Sequence, residues 1–61
     1  MPFINVKILE GTTEEQKDEL VKEITGVFQR VVGVPQDRVF IFFEDMKKEH
    51  YGKNGRLFSK Q

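Results

Sequence analysis

The run Val39-Phe40-Ile41-Phe42-Phe43 constrains this chain more than any other feature. Five consecutive apolar β-formers imply a strand that needs cover on both faces. The whole chain has only 61 residues to supply that cover. A domain of this size buries only about 60% of the surface its unfolded chain exposes, so many such chains need a brace. There is no cysteine, which removes disulfides and Cys-based metal sites. One histidine, His50, does not build a zinc site alone. The brace that remains is association with another chain.

The elements around the run follow from local patterns. Phe3 to Leu9 alternates as a strand, with Ile4, Val6 and Ile8 on one face and Phe3, Asn5, Lys7 and Leu9 on the other. Glu10-Gly11-Thr12 breaks it. Thr13 with Gln16 three residues on is a capping-box start for a helix to about Val32. Leu20, Ile24, Val27 and Val31 give its apolar stripe, widened by Val21, Phe28 and Val32. Glu14, Glu15 and Asp18 suit its N-terminal dipole, and Gly33 and Pro35 stop it. Asn54-Gly55 signals a hairpin turn, with Tyr51 before it and Leu57-Phe58 after.

A helix between two strands predicts a right-handed βαβ unit with parallel strands. With the hairpin, the expectation is an α+β fold in a single domain over residues 1–61. One helix covers one face of a two-stranded sheet. Phe40 and Phe42, or the opposite set, must then be covered from outside the chain, and a second copy is the simplest cover.

Formal net charge is zero, from 10 Lys and Arg against 10 Asp and Glu, which argues against nucleic acid as the main partner. No apolar run approaches a membrane span, and Met1 to Glu10 lacks the pattern of a signal peptide. These features and the lack of cysteine make cytoplasmic localisation the expectation. The charge is nonetheless uneven. Glu10, Glu14, Glu15, Asp18, Glu19 and Glu23 crowd the span from Glu10 to Glu23, and Lys47, Lys48, Lys53, Arg56 and Lys60 crowd the C-terminal segment. The two sets are solvated faces that pair between subunits, or the basic one is a rim that attracts an anionic substrate.

Pro2 is the residue with the most chemical promise. Once Met1 is removed, its nitrogen is a free secondary amine on a rigid ring. Free α-amino groups titrate at about 7.7–8.0, close enough to neutrality for burial to tune them for proton transfer. The plainer reading is that Pro2 merely starts an edge strand, where its missing N–H does no harm.

The segments MPFINVKILEG, TTEEQKDELVKEIT and EDMKKEHYGKNG resemble the 4-oxalocrotonate tautomerase family over nearly the whole chain. The elements that carry the resemblance are Pro2, Leu9-Glu10-Gly11, Glu15-Gln16-Lys17, and Met46 with His50-Tyr51-Gly52. It implies a tautomerase-like β-α-β subunit with a C-terminal hairpin, paired into dimers and then, as a trimer of dimers, into a homohexamer. It implies that Pro2 is the catalytic base, held in an apolar pocket. The implied reaction interconverts enol and keto forms of small, anionic 2-hydroxydienoates and 2-oxo acids, without metal or organic cofactor, as in the degradation of aromatic compounds. Tyr51 corresponds to the aromatic wall of the amine pocket, Leu9 to a substrate-binding position, and Phe3 is a further pocket candidate. His50 has no chemical role in this scheme.

Two positions depart from the family pattern. Thr12 stands where an arginine grips a substrate carboxylate, and Phe40 stands where another polarises the 2-oxo group in a neighbouring subunit's site. Neither residue offers the charged bidentate fork of arginine. Arg38, two residues before Phe40, is placed on the same strand face by alternation, either as a solvated charge at the strand entry or as a cation that partly compensates. Lys53 and Arg56 are further anion-binding candidates. Phe40, Phe42, Phe43 and Phe58 also read as interface core. Two alternatives stay open. One is a non-catalytic or partner-dependent subunit of a tautomerase-fold oligomer. The other is a hydratase- or dehalogenase-like relative that activates water with an acid such as Glu10, Glu44 or Asp45.

Overall fold

A computed structural model describes all residues, Met1–Gln61. Strand β1 spans Phe3–Leu9, helix α1 Glu14–Val32 and strand β2 Phe40–Met46. A two-stranded hairpin, β3 at Gly52–Lys53 and β4 at Arg56–Leu57, follows. β1 and β2 pair in parallel from Phe3 opposite Phe40 to Leu9 opposite Met46. The β-α-β unit and hairpin expected from the sequence are both present.

The ends of α1 are set by local chemistry. The Gln16 N–H donates to the Thr13 hydroxyl at 3.1 Å, and the Thr13 N–H donates to the Gln16 side-chain carbonyl at 2.9 Å. Both halves of the capping box are formed. At the other end Gly33 adopts φ 81°, a left-handed conformation that favours glycine, and its N–H reaches the carbonyls of Phe28 and Gln29. Removing the Thr13 hydroxyl leaves the N–H of Gln16 without its partner. Thr13→Ala is expected to cost about 1 kcal/mol, measured as a lower denaturation midpoint at fixed protein concentration.

Alternation places Ile4, Val6 and Ile8 with Ile41 and Phe43 on the half-buried side of the sheet, under α1. Lys17 ties the helix to β2 there. Its ammonium lies 2.7 Å from the Asp45 carboxylate and 5.8 Å from the centre of the Phe43 ring. The helix residues turned inward are Val21, Ile24, Thr25 and Phe28 rather than the whole expected stripe. Leu20, Val27 and Val31 are exposed, because the apolar arc of α1 is wider than two strands cover.

The other face of the sheet is open. Phe3, Phe40 and Phe42 are exposed on it, the last by 65%. These are the residues that the apolar run of β2 leaves in need of outside cover. No residue of the single chain is fully buried. The accessible surface, 4952 Å², exceeds by about 800 Å² what a 7.2 kDa globule exposes, about 4,100 Å². The radius of gyration, 14.8 Å, likewise exceeds the roughly 10.5 Å of a compact chain this long. No helix is long and apolar enough to cross a membrane.

The C-terminal segment packs largely on itself. Asn54 (φ 57°) and Gly55 (φ 78°) form the two-residue turn, both left-handed as a twisted hairpin requires. Tyr51 meets Phe58 edge to face at 5.8 Å, and the Gln61 amide donates to the Lys53 carbonyl at 2.9 Å.

Candidate functional site

The head of the parallel ladder brings together three of the residues singled out by sequence. The Phe40 N–H donates to the Pro2 carbonyl at 3.0 Å, so the backbone of β2 fixes Pro2 one residue before β1 begins. Phe3 and Phe40 face each other in register, their rings stacked with centroids 5.0 Å apart and planes inclined by 15°. Pro2 is half-buried, whereas Met1 before it is 67% exposed. A groove of about 460 Å³ opens beside this point, lined by Phe3, Ile4, Asn5, Phe40, Ile41 and Phe42. Asn5 is its one polar residue, and sequence reasoning gave it no role. The available signal was strand parity, which puts Asn5 between Phe3 and Lys7 on the open face.

Arg38 does not share a strand face with Phe40. It ends a 3₁₀ turn, Gln36–Arg38, whose backbone closes through the Arg38 N–H to the Pro35 carbonyl at 3.0 Å. The two-residue alternation of an extended chain therefore does not reach it, which corrects the geometry expected from sequence. Its guanidinium is exposed and forms no ion pair within the chain.

The remaining candidates lie elsewhere. Leu9 ends β1 and Thr12 sits in the loop beyond it, both half-buried. Seven residue-to-residue steps of extended chain, about 23 Å, separate Leu9 from Pro2. Tyr51 comes after the Met46 end of β2 and leans on Phe58. One chain therefore does not close a site that contains Pro2 together with Thr12, Leu9 or Tyr51. Among the acids considered for water activation, Asp45 is engaged by Lys17, and Glu44 sits opposite Lys7 in the sheet register.

Comparison with known proteins matches this arrangement to one family. The family profile described as "Tautomerase enzyme" matches residues 2–61. This chain belongs to the tautomerase family. A "Probable tautomerase" of Bacillus cereus is 41% identical over 59 residues, covering 97% of each chain. A "2-hydroxymuconate tautomerase" of Bacillus subtilis is 39% identical over 59 residues, covering 97% of this chain and 95% of the relative. The crystal structure of a homologue of 4-oxalocrotonate tautomerase superposes with a TM-score of 0.90 at 37% identity, covering 98% of each chain. The β-α-β unit with its C-terminal hairpin is thus a tautomerase fold. In this tautomerase chain, the two positions where the resemblance implies arginine hold an uncharged loop hydroxyl, Thr12, and a stacked aromatic ring, Phe40.

Proposed function

We propose that this tautomerase-family protein is an isomerase that interconverts enol and keto forms of small 2-hydroxydienoates and 2-oxo acids. The Pro2 amine, freed by loss of Met1, is the general base. The observation that carries this reading is the placement of Pro2, held by its own carbonyl to Phe40 and bordered by a groove without charged residues. An amine in apolar surroundings loses hydration that its protonated form needs, so it stays neutral and able to accept a proton.

The proton bookkeeping closes without a cofactor. The amine takes the proton of the enol hydroxyl, the C–O bond becomes a carbonyl, and the double bonds shift along the chain. The resulting ammonium returns the proton to the carbon at the far end of the shifted double bonds, which in a simple enol is the carbon next to the new carbonyl, leaving the amine as it began. Copies of the chain assemble to complete the site, in keeping with the open sheet face and the separation of Pro2 from Leu9, Thr12 and Tyr51. That same separation, with no arginine at positions 12 and 40, also supports a second reading in which the chain is a partner-dependent subunit.

The test is enol-to-keto conversion of phenylenolpyruvate and 2-hydroxymuconate by the native protein and by Pro2→Ala. The variant keeps a terminal amine but loses the ring that aims it, and kcat/KM is expected to fall at least about 10²-fold. Equal rates would end the mechanism. Robust turnover by the protein purified alone removes the second reading.

A further inference from the structure

The Asn54-Gly55 turn that joins β3 to β4 sets a side-chain amide next to an unhindered backbone nitrogen. Both residues are exposed, and neither the Asn54 side-chain amide nor the Gly55 N–H has a hydrogen-bond partner in the chain. Gly55 brings no side chain over its own nitrogen, and the space that a Cβ would enter is empty to 4 Å. The hairpin around the turn is short. It consists of two residue pairs, Gly52 with Leu57 and Lys53 with Arg56, and a hairpin so small opens at low cost. The other asparagine, Asn5, has none of these features. It lies inside β1, opposite Phe42, and is followed by the branched Val6.

We propose that Asn54 is a self-modification site, at which the Gly55 nitrogen displaces ammonia from the Asn54 side chain and converts the hairpin turn to isoaspartate. The only reactant from outside the chain is water. The turn first opens, and rotation about the Asn54 ψ swings the Gly55 nitrogen toward Cγ. A bond forms between that nitrogen and Cγ, and the bond from Cγ to the side-chain nitrogen breaks. The leaving nitrogen takes the Gly55 proton and departs as ammonia. Water then opens the cyclic imide at one of its two carbonyls. Opening at Cγ gives Asp. Opening at the main-chain carbonyl gives isoaspartate, whose backbone runs through the former side chain and is longer by a methylene. Either product adds an acid between Lys53 and Arg56 in a chain whose formal charge is zero. The longer backbone of isoaspartate also no longer fits a two-residue turn. It therefore weakens the bonds that close the hairpin, the Phe58 N–H to the Tyr51 carbonyl at 2.7 Å and the Gln61 amide to the Lys53 carbonyl at 2.9 Å.

The experiment incubates the native protein in water enriched in heavy oxygen and maps its peptides by mass spectrometry over time. Asn54 is expected to convert at least about tenfold faster than Asn5, with heavy oxygen incorporated and isoaspartate as the larger product. Conversion of Asn54 no faster than that of Asn5 overturns the proposal, and Asp formed without isoaspartate overturns the cyclic route. Gly55→Ala sets a methyl group beside the attacking nitrogen and is expected to slow conversion severalfold. Alanine is strained at the Gly55 φ of 78° and loosens the folded turn, so the two chains are compared unfolded in urea, where the methyl group is the only difference. Equal rates there overturn the role of the Gly55 nitrogen. The modified chain, separated by anion exchange, is expected to exchange its Phe58 N–H at least about tenfold faster than the unmodified chain. Unchanged exchange overturns the loosening of the hairpin.

Discussion

Chains that keep Met1 will lose turnover by about 10²–10⁴-fold relative to chains that begin at Pro2. With Met1 attached, the proline nitrogen is an amide, its lone pair is delocalised into the carbonyl, and it no longer accepts a proton at neutral pH. The structure isolates this effect. Met1 is 67% exposed and no hydrogen bond holds it, while the contact that fixes Pro2 runs through the Pro2 carbonyl, which is present in both forms. Removal of Met1 therefore changes the nitrogen and leaves the strand pairing intact. Intact-protein mass spectrometry of the two forms, coupled to the rate of enol decay, checks the expectation. Matching rates at matching circular dichroism would remove Pro2 as the base.

Phe42→Asp will disrupt assembly. In a solitary chain the change would be mild, because the side chain is 65% exposed and exposed substitutions generally stay within about 0.5 kcal/mol. Beneath a second chain it places an unpaired carboxylate in apolar surroundings, which costs several kcal/mol per subunit. The excess surface gives the scale. About 800 Å² per chain is what one partner contributes to a standard interface. Sedimentation velocity at micromolar concentration is expected to show the native protein as an oligomer and Phe42→Asp as monomer or unfolded chain. An oligomer that survives the substitution unchanged would move the interface elsewhere on the molecule. The apolar stripe of Leu20, Val27 and Val31 on α1 would then be the next surface to substitute.

The parts of this fold that were legible in sequence are those governed by near neighbours. Thr13 and Gln16 cap each other across three residues, Gly33 carries its own left-handed turn, and Asn54-Gly55 makes its own hairpin. The alternation of Phe3 to Leu9 fixed both its strand and its faces. The all-apolar Val39–Phe43 run announced a need for cover without saying which side lacked it. The parallel register settled that, because Phe40 and Phe42 share the open face with Phe3 and Asn5. Arg38 was misplaced for a related reason. The turn at Gln36–Arg38 is made by backbone hydrogen bonds rather than by any side-chain signal, so strand parity was extended one turn too far. On α1, the choice between the Val21–Phe28 side and the Leu20–Val31 side depends on how much sheet lies beneath. The helix sequence alone does not contain that. The candidate site was legible as a set of residues, yet its members occupy both ends of β1, and nothing in a linear pattern tells which chain supplies each.

In the proposed assembly, a chain in which no side chain is fully shielded alone would have a stability that depends on its own abundance. Folding and association become one equilibrium of higher molecular order, so a tenfold dilution lowers stability as surely as added denaturant does. Specific activity, ordinarily a constant of an enzyme, should here decline when the protein is scarce. On that assembly the open face of a two-stranded sheet would set a concentration threshold.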